Sequence, residues 1–157
     1  MTQVAIAIGS NLGDRRGHLA WAVDELAAIL HDLRVSTVIE TEPFEVTEEQ
    51  PPYLNAVAVG QTDLAPRVLL DHLLELERRQ GRVRPGWRSP RTLDLDLILY
   101  GDATIDEPGL VVPHPHFRER AFVLEPLAEI APDMVDPVSG KTVAILNLEI
   151  SRSRISD

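Results

Sequence analysis

The chain contains no cysteine, so neither a disulfide nor a thiolate metal site is open to it. It has no apolar run near the roughly 20 residues needed to cross a bilayer. Its first residues, Met1-Thr2-Gln3-Val4-Ala5, lack the basic stretch of a secretory leader. A cytoplasmic location, away from membrane, is the expectation. Positive charge is also in short supply: 15 basic residues stand against 25 acidic ones, for a formal net charge of −10. Non-specific binding to DNA, RNA or an anionic membrane depends on excess positive charge, so all three are disfavoured.

What is present is an ordinary globular composition, 44% hydrophobic and 25% charged. At 157 residues it fits a single domain spanning 1–157, long enough to bury a core without staples. Lys141 is the one lysine, and the arginines are unevenly placed. Arg78, Arg79, Arg82, Arg84, Arg88 and Arg91 crowd one short stretch. In an acidic protein this pattern points either to a local anion site or to a solvated helix end and loop.

The hydrophobic pattern sets the architecture. Val4, Ile6 and Ile8 alternate with Ala5 and Ala7, predicting a strand over 3–9, and Gly9-Ser10-Asn11-Leu12-Gly13-Asp14 ends it. Leu19, Val23, Leu26 and Leu30 recur at helical spacing over 14–31. The β-branched residues of 34–41 predict a second strand and 53–61 a third. Asp63 and Pro66 open a second helix that Gly81 closes. Residues 82–92 read as a loop and 93–100 as a fourth strand. The order is β-α-β-β-α-β: an α+β, ferredoxin-like antiparallel sheet with helices on one face, plus short C-terminal elements. Past residue 110, prolines cut the chain into short pieces. These include a helix over Phe122–Ile130, a turn at Val138-Ser139-Gly140-Lys141, and a frayed end from Ser151.

Thr92-Leu93-Asp94-Leu95-Asp96-Leu97-Ile98-Leu99-Tyr100 is the most informative segment. Alternation puts Leu93, Leu95, Leu97 and Leu99 under the helices and Asp94 and Asp96 on the other face, about 6.6 Å apart. Two adjacent aspartates repel, and a strand interior is a poor place for either. A hard divalent cation offsets both costs, since Mg²⁺ takes carboxylate and phosphate oxygens. The arginine-rich loop ends three residues before Asp94. Triphosphate needs both parts: bridging cations and guanidinium forks. There is no Gly-x-x-x-x-Gly-Lys-Ser/Thr loop. An exposed strand face paired with nearby arginines is the plainer alternative.

At these residues the chain resembles the hydroxymethyl-dihydropterin pyrophosphokinases of folate synthesis. The likeness is carried by Ala7-Ile8-Gly9-Ser10-Asn11-Leu12-Gly13, Tyr53-Leu54-Asn55-Ala56-Val57, Glu77 with Gly81-Arg82-Val83-Arg84, Pro90-Arg91-Thr92-Leu93-Asp94-Leu95-Asp96, Val112-Pro113-His114-Pro115 and Arg120-Ala121-Phe122-Val123-Leu124. The resemblance implies transfer of the β,γ-pyrophosphoryl group of ATP to the hydroxymethyl oxygen of the pterin, with release of AMP. It implies two Mg²⁺ ions on Asp94 and Asp96, with Arg82 and Arg91 at the ATP phosphates. Glu77, Arg84, Arg88, Leu97, Val111, His114 and Arg120 then belong with the nucleotide. Thr41, Pro43, Phe44, Tyr53, Asn55, Trp87 and Phe122 belong with the pterin, Tyr53 and Phe122 as a stacking pair. Family likeness also implies a monomer.

One departure stands out. The family often has an aromatic and then a glycine directly before Pro-Arg-Thr, whereas this chain reads Trp87-Arg88-Ser89-Pro90-Arg91. No side chain is singled out as a general base. Two rival readings exist: a metal-dependent transferase acting on nucleic acid, which the negative charge opposes, and a small-ligand sensor, which leaves Asp94, Asp96 and the arginines without a reason.

Overall fold

A computed structural model of the chain describes residues 1–41, 52–80 and 92–156. Seven strands and four α-helices are described: β1 (Thr2–Ser10), α1 (Arg15–Ile29), β2 (His31–Val35), β3 (Ile39–Thr41), β4 (Tyr53–Thr62), α2 (Pro66–Arg79), β5 (Asp94–Tyr100), β6 (Ile105–Glu107), β7 (Leu110–Val112), α3 (Ala121–Ile130) and α4 (Val143–Ser156). The main sheet is antiparallel in the order β2-β4-β1-β5, with β3 also paired to β4; β6 and β7 form a separate hairpin. No described helix is long and apolar enough to cross a membrane.

Strand alternation sends side chains to two cores. One face of the sheet contributes Val4, Ile6, Ile8, Leu54, Ala56, Ala58, Leu95 and Leu97, packed on Leu19, Ala22 and Leu26 of α1 and Leu69, Leu73 and Leu76 of α2. The other contributes Ala5, Val57, Val59, Ile98 and Leu99, packed on Val123, Leu124 and Leu127 of α3 and Val143 and Leu146 of α4, with Phe117 fully buried among them. The expectation of helices on one face therefore holds only for α1 and α2. Alternation in β1 and β4 leaves an apolar second face, and α3 and α4 cover it.

Three local departures from the sequence expectation have identifiable causes. The strand expected over 34–41 breaks at Ser36–Val38. There the Ser36 hydroxyl accepts the Val57 amide at 2.9 Å, while Glu129 takes both the amide and the hydroxyl of Thr37, at 3.0 and 2.8 Å. These side chains substitute for ladder bonds. In β5 the pairing with β1 shifts between Ala5 and Ile6: Ala5 faces Leu99 and Ile6 faces Leu97, leaving Ile98 as an extra residue. Leu99 consequently joins the second core with Ile98 instead of lining up with Leu93, Leu95 and Leu97. Finally, the end expected to fray is helical: α4 runs from Val143 to Ser156, and its early turns are fixed by buried Val143 and Leu146.

Candidate active site

The register of the sheet builds the site. Gly9 of β1 lies opposite Asp94 on one side and Asn55 on the other, while Ala7 lies opposite Asp96 and Val57. Residues directly opposite in an antiparallel pair share a face. Asp94, Gly9 and Asn55 therefore form one row, Asp96, Ala7 and Val57 the next, all on the α3 side of the sheet. Tyr53, two residues before Asn55, points the same way. Both aspartates are half-buried. The two acidic side chains thus sit together on one accessible patch of sheet, as the alternation requires.

Gly9 is the residue that lets the two halves of the patch meet. A Cβ built there would come 3.1 Å from Asn55 Oδ1 and 3.5 Å from Tyr53 Cδ1. A glycine inside a strand often marks such an approach. Asn55 is buried, and its Nδ2 donates to Thr41 Oγ1 at 2.6 Å. This leaves the amide oxygen directed towards the Gly9 side. Three residues expected at the pterin, Thr41, Tyr53 and Asn55, are therefore neighbours. Phe122, half-buried on α3, packs against the same second core as Ala7. Arg120 holds its guanidinium 5.8 Å from the Phe122 ring. The remaining pterin candidates, Pro43, Phe44 and Trp87, lie outside the described residues.

On the outer edge of β5, Glu77 is almost fully buried and its Oε2 accepts the Leu95 amide at 2.7 Å. An edge-strand N–H would otherwise be unpaired. The acceptor is a carboxylate, and such charge-assisted bonds are the stronger kind. Glu77 thus fixes the backbone between Asp94 and Asp96. This link is not visible in sequence, because it joins a helix end to a strand 18 positions on. Leu97 is 6% exposed within the first core, so only its backbone is left for a ligand; Val111, 42% exposed, faces outward from β7.

His114 follows β7 and is tied to β5 by its amide, which donates to the Ile98 carbonyl at 2.9 Å. Its Nδ1 accepts the backbone amide of His116 at 3.1 Å. A backbone N–H can only donate, so Nδ1 carries a lone pair and the ring proton of the neutral form sits on Nε2. Burial, aided by the nearby charge of Arg120 and by His116, lowers the His114 pKa to about 4. His114 is therefore a neutral side chain with one fixed donor.

Of the arginine-rich stretch, Arg78 forks onto Glu75 within α2 and Arg79 stacks 5.2 Å from the Trp21 ring, 3.5 Å from Glu25. Arg78 thus forms a solvated pair at the end of α2, the plainer reading of the arginine stretch, and Arg79 bridges α2 to α1. The Oε1 of the adjoining Gln80 accepts from His18 Nδ1 at 2.8 Å, so the start of α1 and the end of α2 are joined. Arg82, Arg84, Arg88 and Arg91 lie outside the described residues.

Oxygen ligands on an open face suit a hard cation such as Mg²⁺. Among the described residues no group of three acidic or histidine side chains is gathered for metal binding. A cation on Asp94 and Asp96 would take its remaining oxygens from water or a phosphate ligand, which is the usual Mg²⁺ arrangement.

Comparison with known proteins identifies the family. A family model described as 7,8-dihydro-6-hydroxymethylpterin-pyrophosphokinase (HPPK) matches residues 5–132. The 2-amino-4-hydroxy-6-hydroxymethyldihydropteridine pyrophosphokinase of Synechocystis sp. is 43% identical over 140 residues, which are 88% of this chain and 71% of that one. The enzyme of the same name from Methylorubrum extorquens is 43% identical over 145 residues, 91% of this chain and 90% of that one. Folic acid synthesis protein fol1 of Pneumocystis carinii is 39% identical over 142 residues, 90% of this chain but 19% of that protein. Among solved structures, an HPPK-DHPS in complex with substrates superposes with a TM-score of 0.78 at 12% identity, covering 99% of this chain and 44% of that one. Wild-type Plasmodium falciparum HPPK-DHPS superposes at 0.75 and 14% identity, covering 99% and 46%. At such identities the likeness is one of fold, and this chain spans less than half of those solved chains.

Proposed function

Because the chain belongs to the 7,8-dihydro-6-hydroxymethylpterin-pyrophosphokinase family, we propose that it transfers the β,γ-pyrophosphoryl group of ATP to the hydroxymethyl oxygen of 6-hydroxymethyl-7,8-dihydropterin and releases AMP. The observation that carries this reading is the row Asp94–Gly9–Asn55, which sets an acidic pair and a hydrogen-bonding, aromatic-flanked corner on one face of the sheet. The pterin hydroxyl forms a bond to the β-phosphorus, and the bond from that phosphorus to the α-bridging oxygen breaks. The hydroxyl proton is released to solvent, and the bridging oxygen leaves with AMP.

Asp94 and Asp96 are the residues suited to hold Mg²⁺, which when bound would neutralise charge on the phosphate oxygens. Asn55, with Thr41 fixing its amide, offers an oriented acceptor to the edge of a flat heterocycle. Tyr53 and Phe122 supply aromatic faces on the same side of the sheet. His114 offers a neutral N–H and Arg120 a positive charge at the nucleotide. Arg82 and Arg91 are assigned to the phosphates, and Arg84, Arg88 and Trp87 to the substrates, on the family pattern. Phosphoryl transfer asks the protein chiefly for positioning and electrostatics, which matches a site without a nominated base.

The test is to incubate the protein with ATP, Mg²⁺ and 6-hydroxymethyl-7,8-dihydropterin. AMP forming in step with pterin diphosphate supports the reading. ADP as the product, or AMP formed without pterin, rejects it. A soluble monomer in the cytoplasm is part of the same proposal, checked by light scattering and by cell fractionation.

A further inference from the structure

His114 and Arg120 lie on a segment with little structure of its own. Between β7 and α3 the chain makes one short 3₁₀ turn, Phe117–Glu119. Such turns have poor hydrogen-bond geometry and contribute little stability alone. Arg120, at the start of α3, makes no side-chain capping bond. Something else must hold this segment if its two polar side chains are to meet a ligand in fixed positions.

Besides the His114 amide bond to Ile98, two contacts of adjacent side chains do so. Phe117 is fully buried in the second core. The neighbouring Arg118 lies over the Phe117 ring at 4.7 Å and sends Nε and Nη2 to the two oxygens of Asp136, at 2.5 and 2.8 Å. Asp136 is completely buried. Its carboxylate also accepts the Val138 amide at 3.0 Å and the Ser139 hydroxyl at 2.7 Å. Its own backbone is locked too: the Asp136 amide donates to the Lys141 carbonyl and its carbonyl accepts from Gly140, at 2.9 and 2.8 Å. The turn ahead of α4 is therefore a rigid socket, and Arg118 is the plug.

A buried ion pair is a poor device for stability alone. Well-packed apolar residues of similar volume often do as well or better. What the fork adds is direction: a bidentate guanidinium–carboxylate contact fixes orientation as well as distance. We propose that Asp136, acting through Arg118, is a positioning residue that sets the His114–Arg120 segment for the nucleotide. Asp136 touches no substrate; its effect passes through the turn to His114 Nε2 and to the Arg120 guanidinium. The proposal rests on the reading of those two side chains as nucleotide contacts.

Two variants test it. Asp136→Asn keeps the shape and removes the charge. It is expected to raise the KM for ATP roughly tenfold or more, the scale of a small misplacement, with the KM for pterin within about twofold. The same variant should lose hydrogen-exchange protection at the His116 amide, which in the intact protein donates to His114 Nδ1. The double variant Arg118→Met/Asp136→Leu replaces the pair with apolar groups. It should recover the melting temperature yet keep the raised KM for ATP. A lowered melting temperature with both KM values unchanged in Asp136→Asn, or recovery of the ATP KM in the double variant, would overturn the proposal. If the intact protein makes no AMP from ATP and pterin, the functional reading fails separately. The exchange measurement then decides alone: unchanged protection at the His116 amide sinks the clamp, and lost protection supports it.

Discussion

The carboxylate of Glu77 takes the amide proton of Leu95 at 2.7 Å, at the one backbone position between Asp94 and Asp96. A buried residue in the last turn of α2 thus holds the strand that presents the acidic pair. Replacing it by alanine leaves that edge amide unpaired, at a cost of about 1–3 kcal/mol. Glu77→Ala should therefore lower stability by that order and depress kcat, while Glu77→Gln, which retains an acceptor oxygen, should recover most of the stability. Urea unfolding together with steady-state kinetics checks both.

Asp96→Ala is expected to abolish turnover and leave the fold intact. It removes one of two like charges from a half-buried face and opens no core cavity, since Leu95 and Leu97 carry the packing. Loss of activity should come with only a small change in melting temperature. Retained activity with a large drop in melting temperature would contradict the assignment.

Gly9→Ala places a methyl group 3.1 Å from Asn55 Oδ1, tighter than ordinary contact. Asn55 is held by Thr41 and cannot swing away without losing that bond. The expected result is a KM for pterin raised about tenfold, equivalent to about 1.4 kcal/mol, with the KM for ATP little changed. Equal effects on both substrates would show that the strand itself had been disturbed.

The pH dependence of His114 has a definite sign. Its folded pKa, about 4, lies below the ordinary 6.5, so between those values the unfolded chain binds the proton and the folded one does not. This side chain costs no stability above pH 6.5 and progressively lowers it as pH falls from 6.5 towards 4. Ordinary histidine titration near 6.5 should be missing from the pH profile of the ATP KM. His114→Gln, whose side-chain nitrogen can stand in for Nε2–H, should retain more ATP affinity than His114→Asn. Ring-nitrogen NMR across the same pH range gives the direct measurement.

Much of this was legible from residue order because the sheet obeys a period of two. Alternation in Leu93–Leu97 places Asp94 and Asp96 on one face, and the Tyr53-x-Asn55 spacing does the same for Tyr53 and Asn55. What residue order does not reveal is which row of one strand meets which row of the next. Gly9 opposite both Asp94 and Asn55 is a matter of register, and Gly9 reads along the chain simply as the start of a turn. The Glu77–Leu95 bond and the Arg118–Asp136 fork are likewise long-range, each 18 positions apart, and no local pattern names the partner. The second helical layer was only half legible: the helix expected over Phe122–Ile130 is α3, but α4 runs from just past the expected turn into the end expected to fray, and neither segment announces that it covers Val57, Val59 and Ile98.

The extra residue at Ile98 has a consequence for how this strand tolerates change. Upstream of it, every second side chain faces away from the leucines beneath α1 and α2; from Ile98 on, Ile98 and Leu99 both serve the core beneath α3 and α4. The kink thus separates a working end from an anchoring end. Sliding β5 by a single step would have to dislodge Ile98 and Leu99 from their packing before either acid could turn towards the leucines of α1 and α2. Substitutions in the Gly101 turn are therefore expected to leave Asp94 and Asp96 aimed as they are, because the anchor lies between them and the turn.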